Sequence, residues 1–345
     1  MDFLKPKFNE ELAAEINPKN GKVKVAGYSC TPDVFLKEMD PTSYDAAFSD
    51  WLEQRKEMCL AKADEILELH DNRPRFNRLR ESYRRGAVIP FIGAGMSVPC
   101  GYSGWTKFLN NLRNETRVSE ECLSTLLSEG KYEEAAQTLA DDMPAGSFDE
   151  AIENAFGDDK DLEGPIQLLP YIFDTSVITT NFDDVIKRCY EATDSYFLEI
   201  LLGTDACELP RYLGKGNKVL VKLHGKANSG RHRVLTYLEY EKHYGTPPRI
   251  QNVIEAISTK TTLLFLGCSL GVDRTIQTLT QLVEDRGHDI IPRHYAFLSI
   301  SEEEDRLRRR DELVKANIFP IWYHADEGHD ECIEALLYKL GEGRI

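Results

Sequence analysis

From about residue 87 onward the chain is cut into short apolar runs separated by longer helical stretches, and that alternation restricts its fold more than any other feature. The runs lie at 87–92, 176–180, 218–223, 262–266, 294–300 and 318–322. They are β-branched or aromatic, bounded by Gly, Asn or Pro, and too short for helices, which makes them strands. Because they are apolar without alternation, both faces of each strand are expected to be buried. Strands that alternate with helices require crossovers, and crossovers produce a parallel sheet wound on both faces. The expected fold is therefore α/β, a Rossmann-like doubly wound parallel sheet of about six strands. A helical insert at about 105–169 interrupts it, within a domain expected over 86–345. Residues 1–85 read as an N-terminal helical extension suited to assembly or partner contacts, with broadly helical spacing of Phe48, Leu52, Cys59 and Ile66.

Of 345 residues, 41% are hydrophobic and 29% charged, enough apolar material for one large domain or two smaller ones. The 58 acidic against 42 basic residues give a net charge of −16, which offers no general attraction to phosphate backbones, so direct nucleic-acid binding is not expected. The 8 cysteines are scattered with no C-x-x-C, which argues against a zinc ribbon or disulfide scaffold and for a reducing compartment. No apolar stretch approaches the roughly 18 residues of a membrane span, and the first residues lack the apolar core of a secretory signal. A cytoplasmic location without membrane contact is the expectation.

Four of the six runs end in small or polar residues. The first leads into Gly93-Ala94-Gly95-Met96-Ser97, with Gly101 following, and small residues there let a backbone approach a diphosphate. The dehydrogenase fingerprint would need a third glycine where Val98 stands, so hydride transfer is disfavoured. The second run ends in Thr179-Thr180-Asn181-Phe182-Asp183-Asp184; taken alone, Asn181 reads more readily as a helix cap than as a catalyst. The third ends in Leu223-His224-Gly225 and the fourth in the loop from Gly267 through Ser269 to Asp273. In open α/β sheets such carboxyl ends are where ligands bind.

The order and spacing of Gly93-Ala94-Gly95-x-Ser97, Asn181-Phe182-Asp183, Leu223-His224-Gly225 and Gly267-x-Ser269-Leu270-x-Val272 resemble a sirtuin-like (silent-information-regulator) NAD-consuming domain over about 87–325. The resemblance implies that NAD is the substrate, with Gly93, Ala94, Gly95 and Ser97 at its diphosphate and Gly267, Ser269 and Asp273 on the other side of the dinucleotide. It implies that Asn181 and Asp183 lie beside the nicotinamide ribose and carboxamide, that Thr180 also binds the cofactor, and that Asn181 and His224 are catalytic, His224 as the base. No metal is implied.

Two departures point to one branch. No cysteine lies between Cys207 and Cys268, where protein-deacylating sirtuins carry their zinc module, and Ser103-Gly104-Trp105-Thr106 replaces a Pro-Asp-Phe-Arg segment. Both features, with Val234-Leu235-Thr236-x-x-x-Tyr240, resemble zinc-free bacterial anti-phage effectors that deplete NAD. The implied activity is an NAD glycohydrolase releasing nicotinamide and ADP-ribose, gated by a partner because free NAD loss is toxic. The resemblance further suggests a homo-oligomer. No G-x-x-x-x-G-K-[ST] loop occurs, so an ATPase or nucleotide-sensing step would belong to a separate protein. The alternatives are a non-catalytic NAD or ADP-ribose sensor, and a protein ADP-ribosyltransferase or deacylase. Tyr323 either borders the adenine or packs in the core.

Overall fold

The computed structural model describes residues 1–25, 27–230, 232–244, 249–271, 274–300 and 303–344, with the backbone alone at 249, 250, 303 and 304. The chain divides into two compact units, Met1–Ala63 and Asp64–Ile345. The division falls within the helix Pro41–Leu67.

The first unit holds the helices Lys5–Ile16 and Pro32–Met39 and an antiparallel hairpin of β1 (Val23–Val25) and β2 (Tyr28–Cys30). Its core gathers Leu4, Phe8, Tyr44 and Phe48, with the Phe8 ring 5.3 Å from Phe48 and 5.5 Å from Tyr44.

The second unit is built on seven strands: β3 (Val88–Ile92), β4 (Val177–Thr179), β5 (Glu199–Leu202), β6 (Val219–Lys222), β7 (Thr262–Leu266), β8 (His294–Ile300) and β9 (Ile318–His324). They are arranged β5-β6-β4-β3-β7-β8-β9, and all the pairings are parallel. β3, β4, β6 and β7 are buried at every position, as a sheet covered by helices on both faces requires. Phe91 pairs in register with Phe265, and their rings lie 4.9 Å apart. The sheet has one strand more than the apolar runs suggest. β5 is short, its apolar residues are only Ile200-Leu201-Leu202 after Glu199, and only Leu201 is buried, so it is not among the runs that read as strands.

At the opposite edge β9 is covered. Asn72, wholly buried, donates to Trp322 O at 2.7 Å and accepts from Trp322 N at 2.9 Å, and Arg75 donates to Pro320 O at 2.7 Å. These bonds satisfy backbone groups that an edge strand would otherwise leave exposed. The helix Asn72–Arg84, which carries both residues, thus packs on the sheet rather than standing in solvent. Between β3 and β4 run the helices Trp105–Arg113, Glu120–Ser128, Tyr132–Asp142 and Ser147–Phe156.

The connections place the site. From β3 the chain moves to one side of the sheet through β4, β5 and β6, then returns past β3 to β7 on its other flank. β3 is therefore the strand where the winding reverses, and the crevice above its carboxyl end, between β3 and β7, is the place where such sheets take ligands.

Candidate active site

Two glycine turns meet at this reversal. Gly93 N–H donates to Leu266 O, and Gly95 N–H to Gly267 O, each at 2.9 Å. A Cβ on Gly93 would stand 2.5 Å from Gly267 O and 2.7 Å from Cys268 Sγ; one on Gly267, whose φ is +65°, would stand 2.5 Å from Met96 N. Backbone packs on backbone here, and no larger residue fits without displacement. Leu270, in the second turn, takes a left-handed conformation at φ +50° that costs a branched residue energy and is held by its surroundings. Arg309 donates to Ser269 O at 2.7 Å and ties that turn to the helix Glu303–Lys315.

The turn after β4 is fixed from below. Thr179 Oγ1 donates to Ile92 O at 2.7 Å and accepts from Asn181 N at 3.0 Å. Asn181, 3% exposed, donates through Nδ2 to Gly93 O and to Ser97 Oγ, both at 3.1 Å. Its Oδ1 is buried and has no hydrogen-bond partner among the described residues. An orphaned buried acceptor costs about 1–3 kcal/mol unless something donates to it, so a donor from a ligand would be favoured there. The helix that follows, Val185–Glu191, is capped at Asp184, so Asn181 is not the cap that its residue type suggests. Asp183 accepts from Val185 N at 3.1 Å, and burial holds its carboxyl above the usual range despite the opposing charge of Lys222.

Lys222 was not singled out by its sequence position. It lies at the end of β6 and is 1% exposed. Its ammonium donates to Asp183 O at 2.6 Å, Asp184 Oδ1 at 2.8 Å and Phe182 O at 3.0 Å. All three ammonium hydrogens thus stitch the 182–184 turn to the strand beneath it.

His224, 9% exposed, sits two residues beyond Lys222, with Nε2 3.0 Å from Tyr244 Oη. Burial pushes its imidazole down to about 3, with the charge of His243 adding to the shift, so the ring is neutral at neutral pH. The rings of Tyr240 and Tyr244 stand 5.4 Å and 6.1 Å from it, edge to face. Both tyrosines come from the helix Tyr237–Tyr244 at i and i+4, which puts them on one helix face. The adjacent Gly225 has φ +77°, and a Cβ there would meet His232 O at 2.4 Å.

These turns and the helical insert enclose a cleft of about 380 Å³. Of the residues named from sequence, Gly93, Ala94, Gly95, Thr180, His224, Gly267 and Ser269 line it. Ser97, Asn181 and Asp183 line a small recess that shares Ala94 and Trp105 with the cleft. Asp273 lies outside the described residues. Tyr323 is wholly buried, its Oη 2.7 Å from His329 Nδ1, and is a core residue that does not line the cleft. Cys268 lines the cleft, with Sγ 3.6 Å from Leu266 O and 3.7 Å from Phe91 O.

The insert supplies walls that local sequence did not reveal. The Trp105 ring stands 5.1 Å from Phe182, nearly perpendicular, and 5.3 Å from Phe156. Arg274 binds Glu133 with two bonds of 3.1 Å and Glu241 at 3.2 Å. Arg233, buried, bridges Asp149 at 2.5 Å and Glu239 at 2.9 Å. Each arginine thus joins the insert to the helix that carries Tyr240 and Tyr244. The only sequence signal for this was the charge of the residues themselves, since the bonds to Asp149 and Glu133 of the insert span 84 and 141 residues along the chain. Among the described residues no group of three His, Cys, Asp or Glu could hold a metal ion.

Comparison with known proteins finds relatives of this chain. The family model described as "SIR2-like domain" matches residues 175–321. The chain is 25% identical over 245 residues to "Defense-associated sirtuin 2" of Bacillus subtilis, a match covering 68% of this chain and 23% of that protein. It is 26% identical over 242 residues to "NAD(+) hydrolase ThsA" of Bacillus cereus (strain MSX-D12), covering 68% and 46%. A ThsA of Enterococcus faecium is 20% identical over 257 residues, covering 72% and 52%. The chain thus spans between about a quarter and a half of these curated relatives. A solved chain from "Structural Basis for the Mechanism and Regulation of Sir2 Enzymes" aligns over 78% of this chain and 97% of its own, at 13% identity and a TM-score of 0.38.

Proposed function

We propose that this chain, which carries a SIR2-like domain, is an NAD glycohydrolase that splits NAD and water into nicotinamide, ADP-ribose and a proton. The observation that carries the reading is the arrangement at the sheet reversal. Two glycine turns packed backbone to backbone adjoin a neutral imidazole and a recess lined by Asn181, whose buried amide oxygen lacks a donor among the described residues. The similarity to proteins named NAD(+) hydrolase and defense-associated sirtuin supports it.

In this reading the bond between nicotinamide and ribose breaks with positive charge building on the ribose, and the leaving group departs neutral. The protein needs to position, desolvate and supply water. Gly93, Ala94, Gly95, Gly267 and Ser269 take the diphosphate-bearing part of the dinucleotide, and Thr180, which lines the same cleft, also contacts it. Asn181 Oδ1 accepts from water or a ribose hydroxyl. Ser97 holds the Asn181 amide, and Asp183 takes the carboxamide. His224, neutral because it is buried, receives the proton that the attacking oxygen loses.

The biological role proposed is a defence effector in the cytoplasm, assembled as a homo-oligomer and gated by a separate ATPase or nucleotide-sensing protein. Gating follows from the cost of uncontrolled NAD loss to the cell. Among the described residues no helix is long and apolar enough to cross a membrane.

The test is chromatography of NAD incubated with purified protein, alone and with the product of a neighbouring gene. Equimolar nicotinamide and ADP-ribose are expected, with His224→Ala and Asn181→Ala each losing at least about 100-fold. NAD that binds but stays intact under both conditions would favour the sensing module, and label from NAD appearing on protein would favour transfer.

A further inference from the structure

We infer that Tyr244 is a positioning residue that holds His224 with its proton on Nε2 and leaves Nδ1 as the base. The inference rests on the NAD-cleaving reading of the same cleft. A neutral imidazole has one N–H and one lone pair, so only one of its nitrogens can accept a proton. Nε2 lies 3.0 Å from the Tyr244 hydroxyl, both residues are buried, and a substrate atom cannot occupy the same place. Nδ1 makes no hydrogen bond among the described residues, and the ring lines the cleft.

Which nitrogen holds the proton decides whether the ring can act as a base toward the cleft. Were the tyrosine hydroxyl to donate to Nε2, the proton would sit on Nδ1, and the ring would offer the cleft a donor. With Nε2–H donating to Tyr244 Oη, the lone pair faces the substrate. The second arrangement satisfies the imidazole N–H inside the protein, because Oη can accept and Nδ1 has no protein acceptor among the described residues.

Tyr244 is itself held in place. Its helix, Tyr237–Tyr244, is fixed at its start by Glu239, whose Oε2 accepts from Leu235 N at 2.9 Å and Thr236 N at 3.0 Å while Oε1 binds Arg233. Glu241 on the same helix binds Arg274. The Tyr240 and Tyr244 rings lie 5.4 Å apart, so the imidazole is boxed by two rings from one anchored helix face. Such an outer partner orients the ring and selects its tautomer without touching substrate.

The experiment uses the full chain with 15N-labelled histidine, free of NAD at pH 7.5, with the His224 signals assigned by their loss in His224→Asn. A protonated Nε2 and an unprotonated Nδ1 are expected in the wild type, and a mixture of the two tautomers in Tyr244→Phe. In parallel, Tyr244→Phe should lower kcat for NAD about tenfold or more while KM stays within about twofold. A wild-type spectrum with the proton on Nδ1 overturns the inference whatever the variant does. An unchanged spectrum and kcat in Tyr244→Phe also overturn it. Because the spectrum is taken without NAD, a wild type that fails to cleave NAD would sink the functional reading and leave the tautomer measured on its own.

Discussion

The Lys222 ammonium lies 2.8 Å from Asp184 Oδ1 beneath the 182–184 turn, with the lysine 1% exposed and the aspartate side chain 33% exposed. Burial alone would raise the Asp184 carboxyl, yet the charge and hydrogen bond of Lys222 hold it below the usual carboxylate range. Burial in turn pulls the lysine below its own usual range, against the attraction of Asp184. The pair costs desolvation and in return anchors the turn that carries Asn181 and Asp183. Lys222→Met should therefore leave a carboxylate and two carbonyls without their donor and destabilise the chain by about 3 kcal/mol. Urea unfolding of the variant measures this, and an unchanged midpoint would mean that the turn is held by other bonds.

Gly93→Ala tests the contact between the two glycine turns. The added methyl would meet Gly267 O at 2.5 Å and Cys268 Cα at 2.8 Å, both backbone atoms that move only if the turns part. A loss of about 2 kcal/mol is expected, together with loss of NAD binding. Calorimetry with NAD and a thermal melt report the two effects separately. Wild-type affinity in this variant would show that the close approach has no part in the site.

Two of the buried imidazoles, His224 and His294, give the protein an acid weakness. Burial pushes both His224 and His294 down to about 3, so neither takes up a proton in the folded chain as the pH falls through 6.5, whereas both do when unfolded. Their stabilising contribution is complete above pH 6.5 and is lost as the pH falls toward 3. At pH 5 each imidazole should already cost about 2 kcal/mol. Asp183, raised by burial, works in the opposite sense because it binds its proton in the folded state first. The clean measurement is NMR titration of the two rings, which should stay neutral from pH 8 to 5. For the same reason the NAD-cleaving rate should show no acid limb centred near 6.5. A ring that titrates near 6.5 would overturn both statements.

The bridge between Arg274 and Glu133 joins the insert to the wall of the cleft. Both side chains are about a quarter exposed, at 24% and 21%, and the contact is two-pronged. A double-mutant cycle of Arg274→Ala and Glu133→Ala, followed by urea unfolding, should give a coupling of about 1 kcal/mol that shrinks only modestly in high salt. Additive single effects would mean that the insert is held shut elsewhere.

The sequence by itself determined the backbone plan. Short apolar runs rich in β-branched residues and bounded by Gly, Asn or Pro read as strands covered on both faces, the helices between them favour parallel pairing, and the glycines mark where two turns approach closely. Those signals are local, and six of the seven strands of the main sheet follow from them; β5 escaped because three apolar residues after Glu199, Ile200-Leu201-Leu202, do not by themselves mark a strand. Tertiary structure alone decided the partners. It buried Lys222 under a turn 40 residues away, set Tyr244 against His224, and aimed Arg233 and Arg274 at acids of the insert. It also left the Asn181 amide oxygen without a donor among the described residues and put Asp184 at the N-cap position of the next helix. Side chains that meet only after distant segments are placed side by side leave no pattern along the chain, because their energies depend on burial and on distance through space.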